Sequence, residues 1–251
     1  MGELLLKVDQ ISQRFGGLLA VDSASFDVEA GSVTALIGPN GAGKTTLFSI
    51  ISGFQKPAHG HVYFAGQDVT GMAPHVLARQ GLSRTFQIVQ PFVGLSVREN
   101  IAVGAYLRHR DRAAAFAAAE KIAQRLGLSR YLDQSAGTLT VGARKRLELG
   151  RALATSPRLL LLDEVMAGLN PSEVRDLIPA IRKICDLGTT ILLIEHVMQA
   201  VMNLSDHIYV LAEGKIIASG APESIVGNAR VIEAYLGEGA AVQYGGVARS
   251  K

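Results

Sequence analysis

The sequence contains one cysteine, Cys185, so the chain cannot form an internal disulfide, which fits a reducing compartment. No stretch approaches the roughly 18 uninterrupted apolar residues that a membrane-spanning helix needs. The N-terminal segment MGELLLKVDQISQRF mixes acidic and basic residues and lacks the apolar run of a signal peptide. We therefore expect a protein that is soluble, or held at a membrane only through a partner.

The chain also lacks a strong charge excess. It has 25 Lys and Arg against 22 Asp and Glu, a net charge of +3 over 251 residues. So small an excess is weak support for a nucleic-acid or lipid partner. No internal repeat is visible, and a 48% hydrophobic content is ample for one large domain or for a core with a subdomain.

Strand and helix patterns alternate along most of the chain, which predicts an α/β fold with a largely parallel sheet covered by helices. Between about 100 and 154 the pattern is Ala-rich and helical without a strand signal, which favours an inserted helical subdomain. The predicted strands are 3–8, 21–28, 32–38, 158–164 and 189–196, with a strand pair over 61–70. The predicted helices are 44–53, 72–80 and 170–187. The tail, 237–251, lacks periodicity and is predicted to be disordered.

The helix predicted over 170–187 has a well-defined start. Asn170 can cap it, Pro171 suits the first turn, and Glu173 completes a capping box. Pro179 must kink the helix or lie where a carbonyl is otherwise satisfied. The predicted buried stripe consists of Val174, Leu177, Ile178, Ile181, Ile184 and Cys185.

Residues 38–45, GPNGAGKT, match the phosphate-loop pattern G-x-x-x-x-G-K-[ST] between a predicted strand and a predicted helix, the context that the motif requires. Glycines let the backbone curl so that successive N–H groups point at phosphate oxygens, and the positive end of the helix dipole adds to the attraction. Lys44 would reach the terminal phosphates, and the Thr45 hydroxyl would hold Mg²⁺.

Two acids end the buried run LLLLDE. A phosphate-loop NTPase needs a carboxylate on a neighbouring strand to hold Mg²⁺, and Asp163 suits that role. Glu164 follows on the γ-phosphate side, where it could orient or deprotonate the attacking water. His196 ends the next apolar strand in the same way, so we expect it at the same sheet edge. A strand-end turn with solvated side chains remains the alternative for all three residues.

The segment LTVGARKRLE, 139–148, poses a question that its own residues leave open. It is either half of a phosphate-binding site or a turn followed by a basic helix. The rest of the chain must decide between the two.

Taken together, the motifs resemble those of ATP-binding cassette (ABC) ATPases. The ordered elements are GPNGAGKTT, RTFQ, LTVGARKRLELGRAL, LLLLDE, AGLN and IEH, and the resemblance covers about residues 3–236. It implies a P-loop NTPase with a RecA-like core (about 3–88 and 156–236), an antiparallel β subdomain and an inserted helical subdomain (about 89–155). It also implies ATP and Mg²⁺ as cofactors, and a head-to-tail pair of cassettes that holds two ATP molecules.

The resemblance also assigns roles to residues. Glu164 and His196 are the predicted catalytic residues. Thr45, Gln87 and Asp163 are the predicted Mg²⁺ ligands. The predicted nucleotide-binding residues are Phe15, which would stack on adenine, Gly38, Pro39, Asn40, Gly41, Ala42, Gly43, Lys44, Thr45, Thr46 and Gln87. For Phe15 a place in the core is the alternative.

The signature segment, as we call Leu139, Thr140, Val141, Gly142 and Ala143, would act on the partner's ATP. The usual pattern there is L-S-G-G-Q, so Thr140 keeps a hydroxyl and Gly142 is kept, while Val141 and Ala143 depart from it. Two further departures are Asn170, where an aspartate is common, and Val165, where a proline often follows the two acids. The basic run ARKR is then the start of the signature helix.

Several stretches, among them FGGLLAVDSASFDV and NARVIEAYLG, are similar to ATPase subunits of branched-chain (hydrophobic) amino-acid importers. The resemblance implies a second ABC ATPase subunit, of the same or a different chain, and two integral membrane permease subunits. It also implies an extracytoplasmic solute-binding protein as an indirect partner, no nucleic acid, and a peripheral position at the cytoplasmic face of the inner or plasma membrane. The apolar segment 88–97 would dock on the membrane partner, unless it covers the core of the helical subdomain.

Two alternatives remain within the family: a urea or amide importer ATPase, or a soluble ABC-type ATP switch that acts on nucleic acid. Such switches usually carry two cassettes or a long coiled-coil insert, and this sequence has neither. A P-loop GTPase is disfavoured because no base-reading N-K-x-D segment follows the loop.

Overall fold

Strands and helices alternate through the computed structural model, which describes residues 2–86 and 90–236. The strands are β1 Leu4–Phe15, β2 Leu18–Glu29, β3 Val33–Ile37, β4 His59–Phe64, β5 Gln67–Asp68, β6 Leu82–Arg84, β7 Leu159–Asp163, β8 Thr190–Ile194, β9 His207–Ala212 and β10 Lys215–Gly220. The helices are α1 Lys44–Ile51, α2 Pro74–Gln80, α3 Val97–Ala105, α4 Arg112–Arg125, α5 Val141–Leu153, α6 Pro171–Asp186, α7 Met198–Leu204, α8 Pro222–Val226 and α9 Ala229–Leu236. Among the residues described, none forms a helix of the length and apolarity that a membrane crossing requires.

The chain divides into two compact units. The first unit is Met1–Ala73 with Leu192–Lys251, and the second unit is Pro74–Ile191, so the boundary falls inside β8. The predicted bounds of the helical subdomain, about 89 and 155, stay a prediction.

The first unit contains an antiparallel sheet in the order β2-β1-β4-β5. Its inner face is formed by alternate apolar residues, because successive side chains of a strand point to opposite faces. Leu6 pairs with both Val28 and Phe64, and all three are buried. A second sheet of this unit has the order β10-β9-β3-β8, with β3 parallel to β9 and β10 antiparallel to β9. Every residue of β3 is buried, as its continuous apolar run predicts.

In the second unit, β6 and β7 pair in parallel, with Ser83 opposite Leu160. Helices α3, α4 and α5 pack together. The face of α4 that meets its neighbours is formed by alanines at four-residue spacing, namely Ala115, Ala119 and Ala123. Small side chains at this spacing let helices approach closely, which explains why the Ala-rich stretch is a packed helix.

Helix α6 confirms the predicted start. The Asn170 side chain accepts hydrogen bonds from the Ser172 and Glu173 N–H groups at 3.0 Å each. In turn, the Glu173 carboxylate accepts a hydrogen bond from the Asn170 N–H, also at 3.0 Å. The helix continues through Pro179. One part of the predicted stripe is wrong, because Ile178 is only half-buried while the other five members are buried.

The predicted element bounds are one or two residues too wide for β3, β7 and β8, and too narrow for β1 and β2. The strand pair over 61–70 is confirmed as β4 and β5, and Gly53 ends the first helix with φ of 75°. Strands β1 and β2 run well beyond 3–8 and 21–28, because their pairing with each other carries both strands past their apolar cores. Strand β6 was not predicted; three residues are too few for a visible pattern. The tail predicted to be disordered, 237–251, lies outside the described residues.

Candidate active site

The phosphate loop connects β3 to α1 in the first unit. The Lys44 Nζ donates to the carbonyl oxygens of Gly38 and Pro39, at 2.7 and 2.8 Å, so the side chain lies back along the loop. Helix α1 begins after Gly43 with no side chain capping its first N–H groups. Asn40, Gly41 and Thr45 are exposed. The loop therefore offers N–H donors, an ammonium group and a hydroxyl at one helix N-terminus, as polyphosphate binding requires.

Two glycines of the loop lie where no side chain would fit. A Cβ at Gly38 would lie 1.9 Å from the Leu211 carbonyl oxygen in β9, and a Cβ at Gly43 would lie 2.3 Å from the Ala20 oxygen in β2. Gly43 also has φ of 104°, which L side chains rarely adopt. The glycines of the motif thus hold the loop tightly against both sheets of the first unit.

Phe15 ends β1 at the hairpin that leads into β2, opposite Leu18. It is 50% exposed, so the alternative of a core phenylalanine is wrong. The β2 residue Ala20, which contacts the phosphate loop at Gly43, lies two residues beyond Leu18. The exposed ring is therefore carried by the same hairpin that borders the loop.

Tyr235 of α9 is a contact of the loop that sequence reasoning missed. Burial raises the pKa of its hydroxyl, and a hydrogen bond with the Gly38 backbone opposes this by lowering it. The turn between β9 and β10 also reaches the loop, because the Gly214 N–H donates to the Ala42 oxygen at 3.1 Å. Neither contact has a local sequence signal, since both join the loop to residues more than 170 positions away.

His196 lies in the first unit, two residues beyond the end of β8, and is exposed. Its position differs from that of Asp163, which is itself the last residue of its strand, β7. In the sheet of the first unit, β8 is the neighbour of β3, the strand that leads into the phosphate loop.

In the second unit, Asp163 forms a buried ion pair that was not predicted. The Arg84 Nη2 donates to the Asp163 Oδ2 at 2.6 Å, with side-chain exposures of 7% and 4%. Next to it, the Thr85 hydroxyl accepts the Asp163 N–H at 3.2 Å. Arg84 and Thr85 belong to the RTFQ motif, in which the sequence predicts a role for Gln87 alone. The predicted ligand Gln87 lies outside the described residues.

Glu164 has a left-handed backbone, with φ of 47°. Such a conformation is uncommon for a residue other than glycine and persists where the surroundings impose it. The neighbouring Val165 and Met166 are buried, and the ammonium group of Lys145, from α5, donates to the Glu164 carbonyl oxygen at 3.2 Å. In the sequence, Lys145 is recognisable only as part of the basic run ARKR.

The signature segment begins α5. Thr140 is the N-cap, and its hydroxyl accepts the Ala143 N–H at 3.3 Å, while Leu139 and Gly142 are buried and Val141 is 56% exposed. A Cβ at Gly142 would lie 2.4 Å from the Glu173 Oε1, so a larger residue here would require the Glu173 side chain to move. The segment is thus a capped helix N-terminus with one carboxylate beside it.

The basic residues behind this segment are engaged within the chain. Arg144 donates to the Gly137 oxygen at 2.8 Å, Lys145 to the Glu164 oxygen, and Arg146 lies 3.8 Å from the Asp176 carboxylate. Their side chains therefore have intramolecular partners. This agrees with the interpretation of ARKR as the start of the signature helix.

Two family models match the sequence. Residues 21–167 match the model described as ABC transporter, which is more than half of the chain. The chain belongs to the ABC transporter family. Residues 215–241 match a second model, described as Branched-chain amino acid ATP-binding cassette transporter. As an ABC cassette the protein is an ATPase, and the fold class predicted from the motifs is confirmed.

Individual relatives agree with this cassette over nearly its whole length. The high-affinity branched-chain amino acid transport ATP-binding protein BraF of Pseudomonas aeruginosa is 42% identical, covering 95% of this chain and 100% of its own. LivG of Escherichia coli, with the same description, is 40% identical with the same coverage. Among solved structures, the ADP conformation of an ATP-binding cassette from an ABC transporter has a TM-score of 0.85 at 36% identity, covering 94% of this chain and 99% of that one.

Proposed function

We propose that this chain is the ATP-hydrolysing subunit of an importer for branched-chain or related hydrophobic amino acids. The observation that carries the proposal is the match of residues 215–241 to the branched-chain cassette model. This segment includes β10, α8 and all of α9, outside the motifs that ABC ATPases share. The descriptions of the relatives from P. aeruginosa and E. coli support the same substrate class.

In this proposal residues 38–46 hold the ATP phosphates. The Lys44 ammonium exchanges the Gly38 and Pro39 carbonyls for the terminal phosphates, and Phe15 stacks on the adenine. The oxygen donors Thr45, Gln87 and Asp163 suit Mg²⁺, which prefers hydroxyl, carbonyl and carboxylate ligands. When bound, Mg²⁺ would neutralise charge on the β- and γ-phosphates.

Glu164 is the proposed group that orients and deprotonates the attacking water, with His196 as the second catalytic residue. The left-handed backbone of Glu164 supports the role, because strained conformations concentrate at functional sites. Lys145 donates a hydrogen bond to the Glu164 carbonyl oxygen and so positions the backbone from which the Glu164 side chain extends.

The proposed working form is a pair of cassettes, of the same or different chains, in which the signature segment of each faces the ATP of the other. The capped N-terminus of α5 offers the Gly142 N–H to a partner's γ-phosphate. The Glu173 carboxylate lies close to Gly142, so a phosphate arriving there would meet its negative charge.

The proposed docking surface for two permease subunits is the exposed pair Phe92 and Val93, which are 45% and 65% exposed. Contiguous exposed apolar groups of this kind mark interaction sites. Within the predicted segment 88–97, Val97 is instead a core residue and Ile88 and Val89 lie outside the described residues. Docking there would hold the cassette peripherally at the cytoplasmic face, with a solute-binding protein as an indirect partner across the membrane.

The direct test of the chemistry replaces Glu164 with Gln. We expect ATP hydrolysis to fall by at least about 100-fold, the usual contribution of a positioned general base, while Mg-ATP binding persists. Size-exclusion chromatography with Mg-ATP should then show an ATP-dependent dimer, in the presence of the partner cassette if the pair is heteromeric. Glu233→Gln, at an exposed position of α9, is the matched control. Unchanged hydrolysis in the Glu164 variant would contradict the assignment.

A further inference from the structure

The docking surface Phe92–Val93 is held in a fixed conformation by polar side chains of the second unit. Asn100, which is fully buried, accepts the Phe92 N–H at 2.9 Å and donates to the Phe92 and Ser96 oxygens at 3.0 and 2.9 Å. The Ser135 hydroxyl donates to the Val93 oxygen at 2.8 Å. The backbone groups of the exposed pair are therefore tied to α3 and to the segment before α5.

Arg151, in the last turn of α5, supplies a second attachment. Its guanidinium carbon lies 4.6 Å from the centre of the Phe92 ring, and its Nη1 donates to the Gln90 oxygen at 3.0 Å. Glu148 orients this guanidinium through a 2.8 Å ion pair, with side-chain exposures of 22% for Arg151 and 11% for Glu148. One arginine thus contacts both the backbone and the aromatic ring of the docking loop.

The same helix begins at the signature segment. Thr140 caps its first turn, and Arg151 lies near its other end. A helix that is hydrogen-bonded throughout and packed against its neighbours moves as one body. Gly104 of α3 lies so close that a Cβ there would be 2.3 Å from the Arg151 carbonyl oxygen, so this end of α5 is tightly enclosed. Helix α5 therefore connects the signature segment at its start to the docking loop near its end.

We propose that Arg151 is the positioning residue through which α5 transmits movement of the signature segment to the docking surface Phe92–Val93. The inference rests on the proposed function, because that function provides the permease subunits to which the docking surface would bind. It identifies a residue that couples nucleotide-driven movement to the membrane subunits without touching the nucleotide.

The test is made in intact cells of the source organism that lack the wild-type copy and express tagged variants. Arg151→Gln removes the charge, the ring contact and the bond to Gln90. Arg151→Lys keeps the charge but loses the planar, multiply donating guanidinium. Arg125→Gln is the matched control, an exposed arginine in the last turn of α4 in the same unit. Radiolabelled leucine uptake is measured, together with the ATPase activity and permease content of the complex purified through the tag.

Arg151→Gln should lower uptake per assembled complex by about tenfold, the equivalent of one charge-assisted hydrogen bond, while hydrolysis per complex stays within about twofold. Uptake per complex in Arg151→Lys should lie between that of the wild type and that of Arg151→Gln. Uptake in Arg125→Gln should match the wild type. Wild-type uptake per complex in Arg151→Gln would overturn the inference, as would a parallel loss of uptake and hydrolysis, which indicates a purely structural role. If the wild-type chain itself supports no leucine uptake, the proposed function fails first.

Discussion

At single residues the candidate site shows which chemistry is visible in a sequence. The phosphate loop was predictable because its glycines, its lysine and its threonine are adjacent, and because a strand and a helix flank them. The Arg84–Asp163 pair was not, since 79 positions separate its members. Tyr235 and Lys145 were missed for the same reason: each acts on a backbone atom far along the chain, and backbone partners leave no residue pattern.

Lys44 provides the sharpest test at this level. Lys44→Ala removes the ammonium group that we expect to contact the terminal phosphates. The dissociation constant for ATP should rise about 10- to 100-fold, as expected for loss of a charge-assisted hydrogen bond of roughly 1.5–3 kcal/mol. Isothermal titration with Mg-ATP measures this change. Lys121→Ala, at an exposed position, is the matched control. Near-normal ATP affinity in Lys44→Ala would contradict the assignment of residues 38–45 as a phosphate loop.

Among the helices and strands, end signals predicted more than internal composition did. The start of α6 was predictable because Asn170, Pro171 and Glu173 each satisfy a backbone group locally. The extent of β1 and β2 was not, because antiparallel pairing extends both strands into polar stretches such as DQISQ. Strand β6 exists only through its pairing with β7, which no window of three residues reveals.

The cap of α6 gives a prediction about stability. Asn170→Ala leaves the Ser172 and Glu173 N–H groups without their acceptor and should lower the free energy of unfolding by about 1 kcal/mol. Asn170→Asp keeps the acceptor and adds a favourable charge at the helix N-terminus, so it should be neutral or stabilising. Urea unfolding followed by circular dichroism measures both. Equal losses of unfolding free energy in the two variants would contradict a stabilising role for the side-chain acceptor at position 170.

The packing of α3 on α5 gives a prediction in which two effects oppose each other. Gly104→Ala should favour an isolated helix by up to about 1 kcal/mol. In the folded chain the new methyl group would meet the Arg151 carbonyl oxygen at 2.3 Å, and backbone cannot move aside cheaply. We expect the clash to prevail and to destabilise the protein by about 1–3 kcal/mol. Gly94→Ala, where a Cβ meets nothing within 4 Å, is the control in the same urea experiment; stabilisation by Gly104→Ala would contradict this packing.

For the whole molecule, the order of the motifs carried more information than any one of them. A phosphate loop predicts only a P-loop NTPase, whereas a signature segment followed by paired acids predicts an ABC cassette, and the family match agrees. The substrate class is less accessible to physical reasoning, because a cassette does not contact the transported molecule. It enters instead through residues 215–241 and through the relatives.

The most direct measurement is the identification of the proteins that purify with this chain. A tagged copy is expressed in the source organism, membranes are solubilised in mild detergent, and captured proteins are identified by mass spectrometry. We expect two multi-span permease subunits and a second cassette, or a second copy of this one. Phe92 and Val93 changed together to Ser should release the permeases but retain the cassette partner. Capture of only water-soluble partners or nucleic acid by the wild-type chain would leave the ATPase standing and contradict its role in import.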